Sequence, residues 1–155
     1  MLRAAVDADR DTVLAWRNHP DVRAVSLTTH VISPAEHAAW WAAVGADPDR
    51  HVLIFDEAAV VVFDLRESPA VWSFYLDVAG LGAQVLPTWM RLERAAVEYA
   101  FGVLGVDRLG GETLATNRQV LALHRRFGFR ETRRYDRLVD GTAETVVWTE
   151  RGKSD

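Results

Sequence analysis

Three stretches of this chain carry residue types that could do chemistry together. The first is Phe74-Tyr75-Leu76-Asp77-Val78-Ala79-Gly80-Leu81-Gly82-Ala83-Gln84, an apolar run that passes through a glycine-bearing loop into a helical segment. Backbone N–H groups at such a junction converge on one point, where the helix dipole adds about half a positive charge. A pyrophosphate suits that point, although the same glycines would also serve a tight strand-to-helix turn. The second stretch is Glu112-Thr113-Leu114-Ala115-Thr116-Asn117. Alternation puts Glu112, Leu114 and Thr116 on one face, and a mid-sheet carboxylate needs water, a cleft or a partner. The third is His124-Arg125-Arg126-Phe127-Gly128-Phe129, in which His124 falls two helical turns after Asn117 and on the same side. Taken singly, Glu112 also reads as a solvated edge residue and His124 as a half-buried core histidine.

Several chemistries are excluded. Gly80-x-Gly82 is followed by Val85 where a Rossmann turn needs its third glycine, and no Gly-Lys-Ser/Thr follows for a Walker loop. The five histidines are scattered without H-E-x-x-H or similar spacing, so no metal site is expected. No G-x-S-x-G elbow occurs. The absence of cysteine removes disulfides, thiolate ligands and an S-acyl enzyme intermediate. Arg125-Arg126-Phe127-Gly128-Phe129-Arg130 echoes an RNA-recognition signature, but that signature wants glycine at Arg126, an apolar residue at Arg130 and an aromatic at Thr132. With a net charge of −4, no nucleic-acid partner is expected.

The elements that must position these residues follow from pattern. The 155 residues allow one domain, over 1–150, with a loose tail Arg151–Asp155. Hydrophobic residues at 49% and charged residues at 26% are an ordinary globular balance. No apolar run reaches the roughly 20 residues of a membrane span and no signal-peptide layout opens the chain, so it reads as cytoplasmic with no membrane partner. A strand near Leu2–Val6 precedes a helix from about Asp9 to Asn18. Ser33-Pro34-Ala35-Glu36 is a helix start with cap, proline and a glutamate three residues on. Strands are expected at His51–Phe55, Val60–Leu65 and Val71–Val78, then a long helix, about Ala83 to Leu104, with Leu86, Met90, Val97, Phe101 and Leu104 near one face. A strand at Arg108–Ala115, a helix capped by Asn117 and ended by Gly128, and strands at Arg130–Leu138 and Thr145–Thr149 complete the order βααβββαβαββ. The fold class is α/β, antiparallel early and with a βαβ unit in its second half.

That order, the Gly80-Leu81-Gly82 loop, the step from Glu112 to Asn117 and the ending Leu123-His124-Arg125-Arg126-Phe127-Gly128-Phe129 resemble the GNAT superfamily of acetyl-CoA-dependent N-acetyltransferases. Trp16-Arg17-Asn18-His19-Pro20-Asp21-Val22-Arg23 and Ile32-Ser33-Pro34-Ala35-Glu36-His37-Ala38-Ala39-Trp40 resemble its branch that acetylates nucleotide-linked amino sugars, which grades into the ribosomal-protein N-terminal acetyltransferases. The resemblance implies a mixed, mostly antiparallel seven-stranded sheet flanked by helices, splayed in a V between the fourth and fifth strands. Acetyl-CoA would lie in the V, with no metal. Leu76, Asp77 and Val78 would pair with the pantetheine, Leu81, Gly82, Ala83 and Gln84 would hold the pyrophosphate, and Asn117, Val120 and Arg126 would meet the rest of the cofactor. Glu112 takes the place of the family's catalytic base. His124 replaces the family's usual tyrosine, and an imidazole in that place can carry a proton to a leaving thiolate. The acceptor implied is the primary amine of a small molecule, a nucleotide-linked amino sugar first, facing Trp16, Arg17, Asn18, His30 and Tyr75; a homodimer, a protein N-terminus as acceptor and a non-catalytic acetyl-CoA-binding protein stand as further readings. The sequence departs from the family pattern at Ala79 and Gln84 in the loop and at Val60-Val61-Val62, where a glycine is often found.

Overall fold

The computed structural model describes all residues, 1–155. The valine run Val60-Val61-Val62 shows how the layers arise. On strand β3 (Ala59–Asp64), Ala59, Val61 and Phe63 face one core while Val60 joins Val13, Trp16 and Ile54 in another. A strand covered on both faces has no polar side, which is why its sequence is continuously apolar. The order is β1 (Leu2–Ala4), α1 (Arg10–Asn18), α2 (Pro20–Arg23), α3 (Pro34–Gly45), β2 (Arg50–Phe55), β3, β4 (Ala70–Leu76), α4 (Val78–Leu81), α5 (Val85–Gly102), β5 (Arg108–Leu114), α6 (Arg118–Arg126), β6 (Arg130–Val139) and β7 (Thr142–Gly152), with short 3-10 turns before α1 and α5. The seven strands form one sheet in the order β1-β2-β3-β4-β5-β7-β6, and only the β4–β5 pair is parallel. A parallel pair requires a crossover, and α5 supplies it.

Ser33 caps α3, accepting the Glu36 N–H at 3.1 Å. Glu36 does not return the bond; its carboxylate instead meets His30 Nε2 at 2.9 Å. The buried stripe of α5 is Thr88, Trp89, Leu92, Glu93, Ala96, Ala100 and Phe101. Of the expected stripe, Phe101 is buried and Met90, Val97 and Leu104 pack at the margin of the core, whereas Leu86 is 45% exposed. The centre of the face is made by Trp89, Leu92, Ala96 and Ala100, which counting the larger apolar residues alone does not reveal. The tail also departs from expectation. β7 runs through Arg151 to Gly152, Arg151 donates to the Phe127 carbonyl, and the Gly152 N–H donates to Asp155 Oδ2. No helix is long and apolar enough to cross a membrane.

Candidate active site

β4 and β5 pair only at Ala70↔Leu109 and Val71↔Gly110. Beyond that point β4 remains paired with β3 and β5 with β7, so the two halves of the sheet part like a V. Gly111 stands at the divergence, where a Cβ would lie 2.9 Å from the Trp72 carbonyl oxygen. The opening is a cleft of about 360 Å³ walled by Trp72–Leu76 of β4 and Gly111–Leu114 of β5. Val85 and Trp89 of α5, and Asn117, Val120 and His124 at α6, close one end; Asp21, Val22, Val25, Ser26 and Leu27 roof the other. That size suits an extended arm or a small molecule.

Glu112 lies in this cleft, half-buried, with both oxygens engaged. The Tyr135 hydroxyl donates to Oε2 at 2.6 Å and Arg137 Nη1 donates to Oε1 at 2.7 Å. Burial, then the bond to Glu112, pushes the Tyr135 phenol up to about 12. Tyr135 thus stays a donor over the whole physiological range. Arg137 offsets the carboxylate's charge, and each oxygen keeps capacity for a further hydrogen bond.

His124 is buried, its ring 5.4 Å from that of Trp72, 5.5 Å from Phe129 and 6.1 Å from Phe74, centroid to centroid. Its Nδ1 is 2.5 Å from Oε1 of Glu93, a fully enclosed carboxylate on α5. Glu93 escaped the sequence reading. The signal for it was a charge one helical turn after Trp89 and beside Leu92 and Ala96, inside the stripe that must be apolar.

The cofactor candidates divide. Leu76, Val78, Asn117 and Val120 line the cleft. Asn117 occupies the N-cap position of α6, but its side chain makes no capping bond, so the carboxamide is uncommitted. Leu81, Gly82, Ala83 and Gln84 sit outside, in the turn leading to α5; Gly82 has φ +54°, and no side chain caps α5 or places acid in its first turn. Arg126 is exposed and makes no ion pair or side-chain hydrogen bond, leaving it available to an anion. Asp77 stands apart. β4 ends at Leu76, two residues short of the expected Val78, and the Asp77 carboxylate caps α4 by accepting the Gly80 N–H at 3.0 Å. Its own N–H still donates to the Ala58 carbonyl at 2.8 Å, so the β3 side of the ladder continues one residue past β4.

The acceptor candidates divide more sharply, since only Tyr75 lines the cleft. Trp16 is 8% exposed and packs in the α1 core with Val13, Ile54 and Val60. Asn18 clamps the backbone of Ile32, donating from Nδ2 and accepting at Oδ1, both at 2.8 Å. Arg17 donates to His37 Nδ1 at 3.1 Å and lies over Trp40 and Tyr75, 4.9 and 5.6 Å from their centroids. Burial pushes the His37 imidazole down, which keeps Nδ1 free to accept. His30 is held between Glu36 and Asp140, and these two carboxylates raise its affinity for a proton. Trp16, Asn18 and His30 find their partners within the fold, and so does Arg17 Nη1, although Arg17 Nε is closed off without one.

No protein-family model matches the chain, and no curated protein matches it. Solved structures do. A provisionally named phosphinothricin N-acetyltransferase shares 23% identity at a TM-score of 0.80, covering 100% of this chain and 99% of its own. Spermidine N-acetyltransferase from Vibrio cholerae, solved with CoA and spermine, shares 16% at 0.82, covering 99% and 95%. A provisionally named acetyltransferase from Salmonella typhimurium, solved with acetyl-CoA, shares 17% at 0.76, covering 100% and 94%. The chain has the fold of the GNAT-type N-acetyltransferases, the seven-stranded sheet with its β4–β5 splay included.

Proposed function

We propose that this protein is an acetyl-CoA-dependent N-acetyltransferase that passes acetyl directly to the primary amine of a small molecule. The observation that carries the reading is the V between β4 and β5, with an uncommitted Asn117, a carboxylate and a histidine all bordering one cleft. Neighbours of the same fold were solved with CoA or acetyl-CoA, which supports the donor. An alkyl ammonium, with a pKa of roughly 10.4, must lose a proton before it attacks. Glu112 takes that proton through water. The Val78 N–H, at the first position of α4 where no intrahelical acceptor exists, donates to the oxyanion. His124 protonates the departing thiolate. Without cysteine, no S-acetyl enzyme forms and both substrates are bound together.

The acceptor follows from the cleft's charge. Its lining carries Asp21 and Glu112; Arg137 already offsets Glu112, so the Asp21 carboxylate, which has no ion-pair partner, is what favours a cationic amine. The Vibrio cholerae neighbour holds spermine, an amine of that kind. Of the residues that suggested a nucleotide-linked amino sugar, Trp16 is packed in the core and His30 is held by two carboxylates, which leaves Arg17, a guanidinium with no carboxylate partner, whose Tyr75 neighbour reaches the cleft. The test is CoA release from acetyl-CoA, read with a thiol dye, across polyamines, amino acids, nucleotide-linked amino sugars and short peptides. Turnover of a cationic small amine is expected. Glu112→Gln lowers kcat about 10²–10⁴-fold with acetyl-CoA affinity kept. No CoA release above hydrolysis with any amine refutes the proposal.

A further inference from the structure

Glu93 is fully enclosed, and its Oε2 is closed off from solvent with no hydrogen-bond partner. No arginine or lysine pairs with it; its one ion-pair partner is His124. The indole N–H of Trp89, one turn earlier on α5, is likewise closed off and unpartnered. β4 presents Trp72 and Phe74 to the imidazole, the segment after α6 presents Phe129, and α5 presents Glu93. The other ionisable groups on the cleft walls are Asp21, Tyr75 and Glu112. His124 Nε2 makes no hydrogen bond, yet it is absent from the closed-off atoms and its residue lines the cleft. This nitrogen is the opening of the pair onto the cleft.

Proton counting gives the pair two states. With one proton between Glu93 and His124, held at the Nδ1–Oε1 contact, the pair carries −1 and Nε2 is bare. With two, the pair is neutral, and Nε2 carries N–H whether the shared proton sits on Glu93 or on Nδ1. A net charge enclosed by aromatic rings is costly, so burial favours the neutral form. We propose that Glu93 is a positioning residue that keeps a proton on His124 Nε2, aimed into the cleft as the acid of acetyl transfer, an inference that rests on the acetyltransferase reading. When the tetrahedral adduct collapses, the C–S electron pair goes to sulfur and the Nε2 proton follows it, giving the free thiol of CoA. The ammonium acceptor loses two protons in becoming an amide. One reloads the Glu93–His124 pair, and the other reaches solvent by way of Glu112, so one proton is released per turnover.

The ligand-free protein supplies the first test. Nitrogen-15 spectra of its histidine rings, with His124 assigned from His124→Phe, should show Nε2 bearing a proton at pH 7. A bare Nε2 overturns the proposal. The second test is Glu93→Gln. It should lower kcat about 10–100-fold and move the alkaline limb of the kcat profile to lower pH, because the lost carboxylate no longer holds the proton on the ring. Acetyl-CoA affinity by calorimetry should stay within about twofold of the parent. A folded Glu93→Gln protein with the parent's kcat and alkaline limb overturns the proposal. If the variant does not fold, the wild-type spectrum decides alone. A proton-bearing Nε2 in a protein that acetylates no amine refutes the transferase reading and leaves the loaded pair standing.

Discussion

Gly111→Ala tests the wedge itself. A Cβ at this position would sit 2.9 Å from the Trp72 carbonyl oxygen and 3.5 Å from Trp72 Cδ1. The closer atom is backbone, so no side-chain rotation relieves the contact. β5 has little room to retreat, because Gly111 is paired with Thr149 of β7 on its other side. β4 must move, and Trp72 moves with it. Overpacking of this kind costs about 1–3 kcal/mol. For a chain of this size each kcal/mol lowers Tm by roughly 2–4 °C, so a fall of about 2–12 °C is expected. Trp72 stacks on Phe74 and Phe129 and lies 5.4 Å from the His124 ring, so the displacement reaches the cleft floor and acetyl-CoA affinity should fall as well. Thermal melts and calorimetry read the two effects. Gly102→Ala is the control: nothing lies within 4 Å of its added Cβ, and it should be neutral or stabilising. A Gly111→Ala protein with the parent's Tm and unchanged acetyl-CoA affinity refutes the argument that β4 and β5 are pressed together where the V begins.

Two further outcomes concern pH. The Tyr135 phenol, at about 12, holds its proton more tightly in the folded protein than in the unfolded chain. Its contribution to stability is therefore complete below about pH 10 and is lost as pH rises toward 12; Tyr135→Phe should flatten that part of a denaturant-midpoint profile. The His30 cluster ties the β6–β7 turn to the roof of the cleft, since Asp140 also accepts from the Thr29 N–H, the Thr29 hydroxyl and the His30 N–H. His30 holds its proton more tightly when folded and Asp140 holds its own less tightly, so the latch is strongest above the usual carboxylate range and below the ordinary histidine value, weakening on either side. Asp140→Asn should speed hydrogen exchange at Thr29 and His30 at pH 6, and equal rates in the two proteins count against the latch.

The elements were legible where local chemistry decides them. Ser33-Pro34-Ala35-Glu36 starts α3 as its spacing requires, and Gly128, at φ +89°, follows α6 as expected. Leu76, Val78, Glu112, Asn117, Val120 and His124 line the cleft from two local strand-to-helix passages, 76–78 and 112–124, each readable from its own spacing. Partnership across the chain was not. Asn18 reads as a polar residue near a cleft, yet both hydrogen-bonding ends of its amide are used on Ile32. Asp77 reads as the end of a strand, yet its short side chain turns back to cap Gly80. Glu93 was hidden because the stripe was drawn through Met90 and Val97, which lie at the margin of the packing face, whereas its centre runs through Trp89, Leu92, Glu93, Ala96 and Ala100.

The place of β7 between β5 and β6 carries a consequence for how the molecule is made. During N-to-C synthesis, β5 and β6 both emerge before the strand that joins them, so each waits with an unsatisfied edge. A product stopped short of Thr142 would leave seven residues of β5 and ten of β6 as adhesive ribbons. Premature stops late in the reading frame should thus give insoluble chains, not shortened enzymes.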